Sequence, residues 1–130
     1  MVRKVWLNMR SAIGEELKAF GLSTSQYATL MMTAGHPGMS VADIAREVAS
    51  SRQAANEMLN GLEHEGLIER HPHPTDRRTH QIAVTEAGRT RLAEARVAVA
   101  RREAELEASF TPAQRVAIRD WLEGVSDACR

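Results

Sequence analysis

Two short runs in this sequence carry side chains able to read a nucleic acid. The first is Ser51-Arg52-Gln53, followed one helical turn on by Asn56-Glu57. An arginine can fork onto the O6/N7 edge of guanine, and Gln or Asn onto the N6/N7 edge of adenine, each good pair discriminating by about 1–3 kcal/mol. The second is Asp76-Arg77-Arg78. A carboxylate two residues before Arg78 can fix its guanidinium by a charge-assisted pair. An arginine held in that way on a narrow loop suits the minor groove, where the potential is most negative. Each run alone has a plainer reading, as a solvated helix face or a solubilising loop. Their order along the chain favours the sharper one.

The elements around them supply that order. Ser40 with Asp43 three residues on starts a helix through about Val48, with Val41, Ile44, Ala45 and Val48 facing inward. Ala49, Ser50 and Ser51 form a turn, and Ser50 or Ser51 caps the next helix. In that helix Ala55, Met58, Leu59 and Leu62 take the buried side, while Ser51, Arg52, Gln53, Asn56, Glu57 and Asn60 fall on or around the other. Gly66 stops it. Ile68 to His71 and Gln81 to Val84 read as short strands, joined by a loop that Pro72, Pro74 and Thr75-Asp76 shape. The pattern is a helix-turn-helix followed by a β-wing, whose usual role is to seat one helix in a DNA major groove.

Helices flank this unit on both sides. Val2, Trp6, Met9, Ile13, Leu17 and Phe20 form one stripe of a first helix that Gly21 ends. Ser23 and Gln26 cap a second, from about Thr24 to about Thr33, broken by Gly35-His36-Pro37-Gly38. Thr85 caps a long helix with Leu92, Val99 and Leu106 at seven-residue intervals and Gly88, Ala95 and Phe110 on nearly the same stripe. Thr111-Pro112-Ala113-Gln114 starts a last one, striped by Ile118, Trp121, Leu122 and Val125. The expected fold is mainly α with a small β-hairpin wing, a winged helix-turn-helix with N- and C-terminal dimerisation helices. Residues 1–130 make one domain, with 24–84 the winged unit and 1–21 and 85–130 the helical dimerisation region. The outer stripes are too many to cover one another in one chain, so a two-fold homodimer is expected.

Composition bounds the alternatives. The chain has 130 residues, 17 basic and 17 acidic. Residues 40–84 hold five basic and seven acidic side chains, an awkward balance for a DNA binder, which then needs a local basic face. That excess supports a rival reading, a winged-helix module that holds a protein partner and binds little or no DNA. No apolar run approaches a membrane span and the N-terminus is not a secretory signal, so a cytoplasmic protein with no membrane partner is expected. Single Cys129 suits a reducing compartment and reads as an inert thiol. His36, His64, His71 and His73 read as solvated rather than as metal ligands. No nucleophilic triad, phosphate loop or carboxylate pair is visible. Neither an enzyme nor a cofactor is expected.

Several motifs in register resemble the MarR family of bacterial transcription regulators. They are Leu22-Ser23-x-x-Gln26, Ser40-x-x-Asp43-Ile44-Ala45, Leu62-Glu63-x-x-Gly66-Leu67-Ile68-x-Arg70, Pro74-x-Asp76-Arg77-Arg78 and Val84-Thr85-x-x-Gly88. The resemblance implies a homodimer of winged helices on palindromic double-stranded DNA, with Asp76 orienting the wing and Arg78 in the minor groove. It also implies a repressor that responds to a small aromatic effector bound between the dimer helices and the winged unit, for which Trp6, Met9, Ile13, Tyr27 and Met31 are the candidate lining. The chain departs from the family's pattern at Glu57 and Gly61, where basic residues are common. Fewer phosphate contacts are expected from that helix.

Overall fold

Three helices begin with reciprocal capping boxes, as the sequence predicts for two of them from spacing alone and for the third from Thr111-Pro112. Ser23 Oγ accepts from Gln26 N–H at 3.1 Å while Gln26 Oε1 accepts from Ser23 N–H at 3.0 Å. Ser40 and Asp43 repeat the exchange at 3.1 and 3.0 Å, and Thr111 and Gln114 at 3.2 and 2.9 Å. Each box satisfies donors that a helix start leaves open. Ser51 and Thr85 cap two more, accepting from Ala54 and Gly88 N–H at 3.0 Å each.

The structure is a computed structural model describing residues 1–49 and 51–130. Its order is α1 (Val2–Lys18), α2 (Thr24–Gly35), α3 (Val41–Val48), α4 (Arg52–His64), β1 (Ile68–Pro72), β2 (His80–Val84), α5 (Glu86–Glu107) and α6 (Pro112–Ala128). The fold is mainly helical with a two-stranded wing. Ser50, the alternative cap for α4, lies outside the described residues. Gly21 and Gly66 end α1 and α4 at φ +66° and +72°. After each glycine the next N–H reaches back, Leu22 to Leu17 at 3.2 Å and Leu67 to Leu62 at 2.9 Å, and all four leucines are buried.

The core gathers Leu17, Leu22, Tyr27, Leu30, Val41, Ile44, Leu59, Leu62, Leu67, Ile68, Ile82, Leu92, Ala95 and Val99, so all of α1 to α5 and both strands contribute. The strands pair antiparallel from Ile68↔Val84 to Pro72↔His80. Each is one residue longer than expected; Pro72, with no N–H to give, is tolerated at the end of an edge strand. A further strand-like link was not foreseen. Ile82 N–H donates to Met39 C=O at 2.9 Å and Gln81 Nε2 to Gly38 C=O at 3.1 Å, tying β2 to the segment before α3. α5 presses on the exit of α4 at Gly88, where a Cβ would stand 2.1 Å from Leu67 O. Thr85 secures that corner, its hydroxyl donating to Gly66 C=O at 2.6 Å and its N–H to Leu67 C=O at 3.0 Å.

The outer stripes are largely uncovered within one chain, as the sequence expectation had it. Of the α1 stripe only Leu17 is buried, with Ile13 and Phe20 half-buried and Val2, Trp6 and Met9 exposed. In α6 no residue is buried: Ile118, Trp121, Leu122 and Val125 face solvent. Phe110 is exposed too, and Leu106, Ala45, Val48 and Met58 are half-buried. The periodicity is real, but a single chain offers those faces nothing to pack on. Accessible area says the same: the 14.4 kDa chain exposes 8937 Å², where a compact monomer of that mass exposes about 6,800 Å².

Candidate nucleic-acid interface

Burial of Ala55, Leu59 and Leu62 sets the rotation of α4 and turns Arg52, Gln53, Glu57 and Asn60 outward. Ser51, exposed, is its N-cap. Gln53 Nε2 reaches Glu57 Oε1 at 3.5 Å. Asn56 is placed differently from its expected outward neighbours. It is half-buried, its Nδ2 donating to Arg52 C=O at 3.1 Å and its Oδ1 accepting from Arg70 Nη1 at 3.2 Å. Both ends of its amide are engaged within the chain.

At the wing tip, Asp76 Oδ1 accepts from both the N–H of Arg78, at 3.0 Å, and its Nε, at 3.2 Å. The Arg78 backbone N–H, and then its guanidinium, hold the Asp76 carboxyl below its ordinary range. The Arg78 side chain is nonetheless 90% exposed, so it is aimed without being covered. Arg77 is exposed beside it. Among the described residues seven ion pairs join arginine or lysine to a carboxylate, and neither Arg52 nor Arg77 takes part in one.

Helix and wing face one another. A cleft of about 570 Å³ between the start of α3, the first residue of α4 and the wing tip is lined by Arg46, Arg52, His73, Asp76 and Arg78 among others. A smaller gap of about 80 Å³ is lined by Arg52, Asn56, Arg70 and Arg78. Four arginines thus converge on one side of a unit whose formal charge is slightly acidic. Asp43 and Asp76 line the larger cleft as well, paired with Arg46 and Arg78, so among the described residues Arg52 brings it the unpaired positive charge.

The fold, its cleft and the aimed wing arginine can be set beside known proteins. The MarR family's sequence model matches residues 20–79, from just past the end of α1 to the wing loop and short of β2. A crystal structure of MarR superposes at TM-score 0.86 with 25% identity, over 98% of this chain and 93% of that one. The chain belongs to the MarR family. A Thauera aromatica protein described as a regulator of the hcr operon is 33% identical over 95 residues, 73% of this chain, and the match spans 57% of that protein's length. A Mycobacterium tuberculosis HTH-type transcriptional repressor is 27% identical over 123 residues, 95% of this chain and 88% of its own. The repressor CouR, bound to a 23-mer DNA duplex, superposes at TM-score 0.88 with 28% identity, over 96% of this chain and 89% of that one.

Within this MarR-family chain, Arg70 is the residue that the sequence reading passed over, though its motif was noted. Its guanidinium, only 17% exposed, donates to Asn56 Oδ1, to Asn56 C=O at 3.4 Å and to Asn60 Oδ1, with Nε 3.7 Å from Glu63 Oε2. It fastens β1 of the wing to α4. The signal was available: Asn56, Asn60 and Glu63 stand at i, i+4 and i+7, a polar stripe next to a strand bearing one arginine.

None of the five candidate effector residues lines the clefts found among the described residues. Trp6 and Met9 are exposed, Arg10 lying 5.3 Å over the Trp6 ring, while Ile13 and Met31 are half-buried against the core. Tyr27 is a core residue, and burial pushes its hydroxyl pKa up. The cleft beside α1 is lined instead by Leu7, Arg10, Ser11, Gly14 and the start of α2. Among the described residues no three metal-ligating side chains are grouped. His71 sits 3.3 Å from Glu69, and Cys129 is exposed at the end of α6. Among the described residues no helix is long and apolar enough to cross a membrane.

Proposed function

We propose that this chain is a homodimeric, sequence-specific regulator acting as a repressor on palindromic double-stranded DNA in the cytoplasm. The start of α4, with Ser51, Arg52, Gln53 and Glu57, enters the major groove, and Arg78, oriented by Asp76 and flanked by Arg77, enters the minor groove. The observation that carries this is the cleft in which Arg52 and Arg78 face each other across helix and wing. Asn56 contributes by setting the helix against the wing, and reads a base only if Arg70 lets go. Dimerisation covers the exposed faces of α1 and α6. Each chain exceeds a compact monomer by roughly 2,100 Å², so two chains leave about 4,200 Å², within the roughly 2,000–5,000 Å² that a permanent homodimer interface buries in total. A small aromatic effector fits this scheme only in the dimer, where Trp6 and Met9 gain a facing wall. It would act by favouring one spacing of the two reading heads.

A gel-shift with the gene's own upstream region, and selection from a random DNA pool, test the proposal. The expected product is an inverted repeat with half-sites about one helical turn, ~34–36 Å, apart. The acidic excess over 40–84 favours a protein-holding module as second reading. No shift on any selected sequence, with binding to a protein partner indifferent to Arg78→Ala, would establish that reading instead.

A further inference from the structure

Beneath the wing arginines, a histidine accepts backbone hydrogen bonds through one ring nitrogen. The Asp76 N–H donates to His73 Nδ1 at 3.0 Å, and the Thr75 N–H donates to the same nitrogen at 3.2 Å. The Thr75 hydroxyl lies 3.4 Å from it. Only the lone pair of an unprotonated Nδ1 can accept these bonds, which selects the neutral ring with its proton on Nε2. Asp76, held there by its backbone, holds Arg78 by its carboxylate at 3.0 and 3.2 Å. Two links in series therefore join an imidazole to the guanidinium that the wing presents.

We propose that His73 is a positioning residue for Arg78, and that protonation of its ring releases the wing tip, so the grip on DNA weakens in mild acid. The inference rests on the DNA-binding reading above. An imidazolium places an N–H where two backbone donors already point, so either the turn over residues 73–76 opens or the ring rotates. The charged groups around it come from three elements: Asp43 and Arg46 of α3, Arg52 of α4, and Asp76 and Arg78 of the wing, all lining its cleft. Asp43 is already paired with Arg46. Arg52 and Arg78 oppose a further positive charge. Asp76 would attract it, but an imidazolium turned toward that carboxylate competes with Arg78 for the same oxygens. Either route detaches Arg78. Protonating His71 or His80, also on the wing, adds positive charge and acts with the opposite sign, so the test leaves both in place.

The variant His73→Asn keeps an acceptor at that position and does not titrate. Operator affinity of the full-length protein is measured at constant ionic strength at about pH 7.5 and about pH 5.5, a range that imidazoles span. At the higher pH the variant should bind within about twofold of wild type, and at the lower pH wild type should be the weaker by about three- to tenfold. His73→Ala should bind poorly at both pH values, with unchanged thermal unfolding. Parallel pH profiles for wild type and His73→Asn overturn the proposal. A second readout needs no DNA: by NMR the His73 ring should carry its proton on Nε2, and the Asp76 amide should titrate with the ring. An Asp76 amide indifferent to that titration also overturns it. Wild-type protein that shifts no operator at the higher pH sinks the DNA-binding reading instead, and the NMR titration alone then decides the His73–Asp76 link.

Discussion

Arg78 is exposed yet aimed, and Asp76 does the aiming through two bonds to one carboxylate oxygen. Loss of a charge-assisted contact leads us to expect that Arg78→Ala weakens operator binding about 10- to 100-fold per half-site. The slope of log affinity against log salt should fall by about one per half-site, measured by fluorescence anisotropy. A variant that keeps both affinity and slope would show that the wing stays out of the groove. The sign of any pH effect from Asp76 follows from its lowered pKa. Its hold on Arg78 is present above the ordinary carboxylate value, about 3.9, and is lost only as pH falls through the still lower folded value. Weakening in milder acid therefore has to come from another group, and His73 is the one bonded to this turn.

Reading helix and wing are separate in sequence and rigidly related in the fold, through Arg70 on one side and the α5 corner on the other. Arg70→Lys keeps the charge but cannot span Asn56 Oδ1, Asn56 C=O and Asn60 Oδ1 at once. We expect it to lower the free energy of unfolding by about 1–2 kcal/mol, read from urea titration. Gly88→Ala tests the other contact. Alanine is the better helix former by about 1 kcal/mol, but here its Cβ would meet Leu67 O at 2.1 Å and Val84 Cγ1 at 2.8 Å. Backbone cannot yield as a flexible side chain does, so the clash wins, with a net loss of about 1–3 kcal/mol. Gly35→Ala, where a Cβ meets nothing within 4 Å, should unfold no earlier than wild type. Equal losses at the two glycines would mean the α5 corner is not tightly packed.

At the scale of the molecule, both tryptophans are 55% exposed and α6 buries no residue of its own. A dimer closed by α1 and α6 should sediment at twice the chain mass at micromolar concentration. Its tryptophan emission should shift to the red when Trp121→Asp or Leu122→Asp separates the subunits. The same variants should lose cooperative binding to the full palindrome while the separated chains keep their helical fold by circular dichroism. Monomer in the wild-type protein would leave those apolar faces unexplained and remove the two-headed geometry.

The helix-turn-helix, its caps, the wing and its Asp76–Arg78 pair were legible in the chain because each is set by local chemistry. Ser40 must find Asp43 three residues on, a glycine must take φ above zero after α1 and α4, and an aspartate is within reach of an arginine two residues away. Heptad and helical stripes likewise showed which faces are apolar. What they could not show is what covers those faces, because periodicity marks a surface and not its partner. Asn56 turning inward to Arg70, β2 bonding to Met39 and the arginines of α3, α4 and the wing meeting at one cleft were decided by tertiary structure. Each brings the wing against residues far from it in sequence, 14 positions for Asn56 and Arg70, and the free energy of such contacts exists only once the core around Leu59, Ile68 and Ile82 has closed.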